Sequence, residues 1–596
     1  MKAYKAPVSD VLFLLEDVFA WDAHREMPGF GDLDLSTVAS ILGEAARLCE
    51  ETLAPLNASG DLEGCRWDAG VVRTPAGFRE AYSAYAAGGW IGLSAPVEFG
   101  GQGLPYTLAA IVNEFTASAN LGFVNYPGLT QSAITAIAAS APPELQRIYL
   151  PPLIAGRWTG AMCLTEPHCG TDLGLIRARA TPLDDGACAI AGQKIFVTGG
   201  EHDLAENIVH MVLARIEGAP AGVRGLSLFI APKFAPDEKG EPGARNAFAC
   251  GSIEKKMGIH ASATCTIDYD GARGFLVGEP HRGLQAMFVM MNEARLGVAT
   301  QGLAISEAAC QKAAAYARER LQGRALGGPG APEKPADPII AHQDVRRMLL
   351  DMRSFNEAAR ALMICVALNV DIAARAADPD ARRRADDFVS LMTPVLKGVF
   401  TDRGFDNAVS AQQVFGGHGY IIENGVEQFV RDARIAMIYE GANGVQAMDL
   451  VMRKLPRDGG RAISAFLSDV GAFVREREGE AALRTWIAPL ASGLADLRKA
   501  TLWFMDNAMA RPQNAAAGAY DYMHLLGLVA MGWMQARIAE AALGRQVADP
   551  ATARAMNAKL VAARWFMERI IPETALRLAR ISSGACTMSD MPDEAF

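Results

Sequence analysis

Apolar residues recur at helical spacing in two early stretches: Val38, Ile41, Leu42, Ala45 and Leu48 within Leu35–Leu53, then Leu104–Ala119. Between them Ala95–Pro105, A-P-V-E-F-G-G-Q-G-L-P, is rich in Gly and Pro and reads as a loop. From about residue 160 the period falls to two. Short alternating or β-branched runs at Ala187–Thr198, Ile208–Ile216, Leu226–Ile230 and Thr264–Tyr269 are separated by turn residues such as Asp184-Asp185-Gly186. They predict a small antiparallel β-domain, sandwich or barrel. Long helical periods return at Met290–Leu321, His342–Ala377 and Ala385–Gln413, and Leu455–Gly460 breaks them again. The pattern predicts a mostly α fold with a β-domain insert: an N-terminal helical domain at 1–158, a middle small antiparallel β-domain at 159–284, a four-helix-bundle-like domain at 285–455 and an extra C-terminal helical domain at 461–596.

At 596 residues the chain exceeds what one core can bury, so three or four domains are expected. Half the residues are apolar and 21% charged, the balance of a soluble globular protein. The net charge is −10 and no long basic block occurs, which argues against nucleic acid as a partner. The start predicts an amphipathic helix after Ser9, interrupted by Asp10, Glu16 and Asp17, and no signal peptide. Leu525–Met534 is the longest apolar run, well short of the ~18 residues that suggest a membrane span, so membrane attachment is not expected. Ten cysteines without C-x-x-C spacing or paired His ligands suggest reduced thiols in a cytoplasmic protein and argue against zinc. No G-x-G-x-x-G follows a strand, so a Rossmann site is not indicated.

The most informative chemistry lies in Arg431–Gln446, R-D-A-R-I-A-M-I-Y-E-G-A-N-G-V-Q. An apolar run, Ile435–Tyr439, delivers Glu440 against Gly441. Partial desolvation there disfavours the ionised carboxylate, moving it towards the range that suits a general base. Gly441 leaves room for a close approach. The same residues also read as a helix C-terminus with Gly as its cap.

Five segments, in order, resemble signatures of the acyl-CoA dehydrogenase family. They are Cys163-Leu164-Thr165-Glu166-Pro167-His168-Cys169-Gly170-Thr171-Asp172, Gly192-Gln193-Lys194-Ile195-Phe196-Val197-Thr198-Gly199-Gly200, Tyr316-Ala317-Arg318-Glu319-Arg320, Gln413-Val414-Phe415-Gly416-Gly417-His418-Gly419-Tyr420 and Tyr439-Glu440-Gly441. The resemblance implies dehydrogenation of an acyl-CoA thioester to the trans-2-enoyl-CoA, with FAD as cofactor and Glu440 as the base. By the same resemblance Met162, Cys163, Leu164 and Thr165 would hold the flavin ring with Gly170, Thr171, Phe196 and Thr198. Arg320 would meet the FAD pyrophosphate, with His342 and Gln343 nearby. Gln413, Gly416 and Gly417 would admit FAD bound mainly to a neighbouring subunit, so a homodimer is the smallest expected assembly. Asn292, Arg295, Thr171 and Gly441 would meet the substrate, and an electron-transfer flavoprotein would take the electrons.

Plainer readings stand beside these: ordinary strand threonines for Thr165 and Thr198, a solvated charge for Arg320, a structural ion pair for Arg295. Some relatives carry the base immediately before a helix Arg. Here that position is Ala294, and Glu293 is one residue off. Phe196 stands where the family often has Trp. Ala442-Asn443 departs from the usual Thr-Ser, which puts side-chain contacts to adenine in doubt. The tail and the start resemble a branch acting on 3-methylmercaptopropionyl-CoA in dimethylsulfoniopropionate breakdown, or on fatty acyl-CoAs. An oxidase on the same fold and an idle flavin- or CoA-binding scaffold remain open alternatives.

Overall fold

The computed structural model describes residues 4–237, 239–508, 511–546 and 549–596. They fall into two compact units, Ala45–Gly297 and Met1–Glu44 with Val298–Phe596.

Ala45–Gly297 begins with helices, among them Phe78–Ala87, Tyr106–Ala119, Leu121–Ser140 and Pro143–Ile154. Tyr106–Ala119 starts directly after Pro105, as the missing N–H of proline allows at a helix entrance, and buries Leu108, Ile111 and Phe115. Asn120 separates it from the next helix: its side-chain oxygen accepts from the Phe123 amide at 3.1 Å, a cap worth about 1 kcal/mol.

A seven-stranded sheet follows. Its pairing order runs Phe248–Ile253, Thr264–Val277, Cys188–Thr198, Arg179–Pro182, Asn207–Ile216, Trp158–Cys163. Leu226–Pro232 pairs with both Thr264–Val277 and Asn207–Ile216, closing part of the sheet on itself. Ile190, Val209, Met211, Leu213, Leu228, Ile230 and Ile267 form its core. The expected wholly antiparallel sheet needs correcting, because Trp158–Cys163 and Arg179–Pro182 each run parallel to Asn207–Ile216. Alternation reveals that a segment is a strand but not its direction. Here the chain makes other strands before returning, the kind of crossover that parallel pairing requires.

In the other unit the long helices are Gln343–Arg375 and Pro379–Val414, with Gly283–Glu319 contributing from Val298 onward. Asp378 caps the second through the amides of Asp380 and Ala381, and Pro379 occupies the first turn. The C-terminal segment adds Arg461–Arg477, Arg484–Asn507, Pro512–Gly544 and Pro550–Trp565 to the same unit. Pro512–Gly544 contains the apolar run and is buried on nearly every side, including Leu525, Leu526, Leu528 and Val529. A helix apolar all round is explained by such a position without any bilayer. Among the described residues no helix is long and apolar enough to cross a membrane.

Candidate active site

Within Ala45–Gly297, the first two signature segments lie side by side. Trp158–Cys163 ends at Leu164-Thr165, and the Thr165 carbonyl accepts from the Ile195 amide at 2.9 Å. The fully buried Lys194 donates to the Leu164 carbonyl at 2.9 Å and to Glu166 at 2.8 Å. Glu166 also accepts from the amides of Arg177 and Ala178 at 2.7 and 3.0 Å. Burial pushes the Glu166 carboxyl up, but Lys194 and these two amides outweigh it and hold the group below its usual range. Burial pulls Lys194 down as well, yet Glu166 is its direct counter-charge, so the pair is ionised. The motif pattern alone gives neither residue a role.

Two residues further along the strand, pairing with Thr264–Val277 slips: Cys265 faces Val197 but Ile267 faces Lys194. The extra residue forms a bulge in which Phe196 takes φ +57° and is 59% exposed. A left-handed non-glycine residue costs about 1–3 kcal/mol and commonly marks a functional position. Thr165 and Thr198 are half-buried, and Gly170 and Thr171 are exposed. An open phenyl face beside backbone polar groups fits a planar heterocycle, so these residues suit the isoalloxazine ring of FAD.

Arg295 is buried, with its guanidinium 5.8 Å from the Phe288 ring and Nη1 3.4 Å from Asn292 Oδ1. Half-buried Glu293 differs from both neighbours. Burial pushes its carboxyl up to about 7, against a lowering hydrogen bond with the Thr135 hydroxyl. An acid raised in the folded state stabilises the fold less as pH rises from about 4.5 to about 7. Glu293→Gln removes that loss. Its melting temperature should match wild type near pH 4.5 and exceed it at pH 8, where the gain reaches at most about 3 kcal/mol. A pH-independent difference would contradict this.

In the unit containing Val298–Phe596, the helix Glu427–Arg434 runs into a short turn, Ile435–Met437. Glu440 and Gly441 follow with φ +53° and +83°. This is no simple glycine cap, because Glu440 itself is left-handed. The turn is held at three points. Gln446 Nε2 donates to the Glu440 carbonyl at 2.8 Å, Lys397 Nζ donates to the Gly441 carbonyl at 2.6 Å, and the Tyr439 hydroxyl donates to Gln301. At φ +83° a side chain would be strained, and a Cβ at Gly441 would also lie 2.6 Å from Gln446 Nε2 and push aside the amide that holds the Glu440 carbonyl, so glycine is favoured here. Asn443, one of the departures from the family pattern, turns inward to Lys397, Thr401 and Asp402.

The third and fourth segments also meet in this unit. The Tyr316 ring stacks on Phe415 with centroids 4.0 Å apart, and its hydroxyl pairs with His418 Nδ1 at 2.8 Å. Arg320 is exposed just beyond the helix end; Gln413 is exposed in the last turn of Pro379–Val414, and Gly416 and Gly417 are exposed just after it. His342 precedes Gln343–Arg375, but its ring goes to the Gln322 carbonyl at 2.7 Å and does not cap that helix. The first-turn amides beside Gln343 therefore suit a phosphate group, as helix N-termini do.

Family models for the acyl-CoA dehydrogenase N-terminal, middle and C-terminal domains match residues 37–157, 161–272 and 281–455, and an acetyl-CoA dehydrogenase C-terminal-like model matches 466–592. The chain belongs to the acyl-CoA dehydrogenase family, oxidoreductases acting on a CH–CH group. It is 42% identical to a 3-methylmercaptopropionyl-CoA dehydrogenase of Ruegeria pomeroyi, covering 97% of this chain and 98% of that protein. It is 33% identical to the broad-specificity linear acyl-CoA dehydrogenase FadE5 of Mycobacterium tuberculosis, over 91% and 92% of the two chains. The Caenorhabditis elegans ACDH-11 structure in complex with C11-CoA shares the fold, with a TM-score of 0.76 at 18% identity over 96% and 92%.

Proposed function

We propose that the chain dehydrogenates 3-methylmercaptopropionyl-CoA at Cα–Cβ, within dimethylsulfoniopropionate breakdown, with Glu440 as the base. The observation that carries the assignment of the base is the Glu440-Gly441 turn, a strained conformation held by Lys397, Gln446 and Tyr439. Preorganising a carboxylate in this way avoids rearrangement at the moment of proton transfer. FAD, when bound, supplies the acceptor for the hydride leaving Cβ, at its N5. Met162, Cys163, Leu164, Thr165, Gly170, Thr171, Phe196 and Thr198 are assigned to the flavin ring. Arg320, with His342 and Gln343, is assigned to the pyrophosphate, where a guanidinium suits paired phosphate oxygens. Gln413, Gly416 and Gly417 are assigned to a neighbouring subunit's FAD, in a homodimer. Asn292 and Arg295 are assigned to the CoA portion, and an electron-transfer flavoprotein to reoxidation.

The substrate is supported by the end-to-end likeness to the Ruegeria pomeroyi protein. A linear fatty acyl-CoA is the second reading, supported by the likeness to FadE5. Comparing kcat/KM for 3-methylmercaptopropionyl-CoA with butyryl- to palmitoyl-CoA separates them. The methylthio ester is expected to lead by about tenfold, the scale on which an apolar pocket discriminates. Preference for a long straight chain would overturn the substrate while leaving the reaction. A second base also has support: Glu293, whose raised carboxyl suits proton abstraction near neutral pH.

A further inference from the structure

The C-terminal segment reaches the Glu440 turn through a continuous series of hydrogen bonds. Tyr520 and His524 lie four residues apart on Pro512–Gly544, hence on one face of that helix. Both bond the same oxygen of Asp402: the tyrosine hydroxyl at 2.6 Å and His524 Nε2 at 2.9 Å. The other Asp402 oxygen accepts from Asn443 Nδ2 at 2.7 Å. Asn443 Oδ1 in turn accepts from Lys397 Nζ at 2.8 Å, and that ammonium also holds the Gly441 carbonyl.

Lys397, Asn443, Asp402 and His524 are all buried. A carboxylate bonded on both oxygens cannot rotate freely. As the charged and closest of the three acceptors of Asn443 Nδ2, beside the Thr401 hydroxyl and the Gly398 carbonyl, it helps fix which way the Asn443 amide points. Were that amide to flip, its NH₂ would face the Lys397 ammonium and the grip on Gly441 would loosen. Burial pushes the Asp402 carboxyl up, but the hydrogen bonds from His524 and Tyr520 prevail and keep it low, so it remains an acceptor. Sequence pattern alone gave the extra segment no role.

We propose that Tyr520 and His524 are positioning residues. Through Asp402, Asn443 and Lys397 they set the Glu440-Gly441 turn in the geometry that proton abstraction requires. This rests on the reading of Glu440 as the base. A group displaced by about 1 Å can cost up to about a hundredfold in rate.

The test uses the FAD-loaded full chain, with anaerobic stopped-flow flavin reduction by the preferred acyl-CoA. His524→Phe with Tyr520→Phe is expected to slow reduction about ten- to a hundredfold while substrate Kd and flavin content stay within about twofold. His524→Gln, whose amide can donate from the place of Nε2, is expected to recover most of the rate. A structural filler would behave otherwise: rate would fall only together with flavin content or Kd, and Gln would be no better than Phe. Either result overturns the proposal. If the double variant does not fold, Tyr520→Phe alone and the comparison of His524→Gln with His524→Phe decide by the same criteria. Glu440→Gln is measured alongside. Wild-type reduction by that variant would remove the base assignment and this proposal with it. An inactive Glu440→Gln beside a fully active double variant would remove the relay only.

Discussion

Glu440→Gln is expected to retain FAD and lose about 10⁴-fold in flavin reduction by acyl-CoA, close to 5 kcal/mol of barrier. The substitution keeps the shape of the side chain and removes its charge and its capacity to accept a proton. The three contacts described for the turn use the backbone carbonyls of residues 440 and 441 and the Tyr439 hydroxyl, so they survive the exchange. Folding and flavin content should therefore match wild type. Anaerobic bleaching on substrate addition reads the chemical step separately from either.

The second large effect is expected at Lys194. Lys194→Met leaves the buried Glu166 carboxylate without its counter-charge, a change that typically costs about 3–5 kcal/mol. The Leu164 carbonyl loses its partner too, so the loop assigned to the flavin ring loses its support. The variant should lose most of its bound FAD and unfold at lower denaturant than wild type. Glu166 has a lowered folded-state carboxyl because of this pairing, and its contribution to stability is present above the ordinary carboxylate range and lost on acidification. The deficit of Lys194→Met should therefore shrink as pH falls towards that range. Adding Glu166→Gln should restore part of the stability at neutral pH. Denaturant midpoints at two pH values, with flavin-to-protein absorbance ratios, check both expectations. Unchanged flavin content and stability would contradict the role given to the pair.

Much of this architecture was readable in the periodicity. Alternation located Cys188–Thr198 to within a residue or so, and a nearly continuous apolar, β-branched run located Asn207–Ile216, which is buried on both faces, equally well. The bulge at Phe196 was not readable, since one inserted residue leaves the composition of a strand unchanged and shows only in its pairing. Helical spacing located Gln343–Arg375 to within two residues, but it placed the start of Pro379–Val414 six residues late, at Ala385, because the charged first turns carry no apolar period. It could not reveal Lys397 and Asp402 as buried polar groups, because charges on a long helix ordinarily read as a solvated face. Their one visible trace was Asn443, standing where the family pattern has another residue. Tyr316 and Phe415 lay inside quoted motifs, yet stacking across a hundred positions leaves no local signal.

Glu440 and Glu293 are the two carboxylates that compete for the central role, and single-turnover kinetics separates them. Anaerobic stopped-flow reduction by an α-deuterated acyl-CoA and its protiated form is compared in wild type, Glu440→Gln and Glu293→Gln. A slow, isotope-independent trace for Glu440→Gln, with Glu293→Gln reducing its flavin at wild-type speed and full isotope effect, is the expected result. The reverse pattern, abolished reduction in Glu293→Gln and intact reduction in Glu440→Gln, would contradict it.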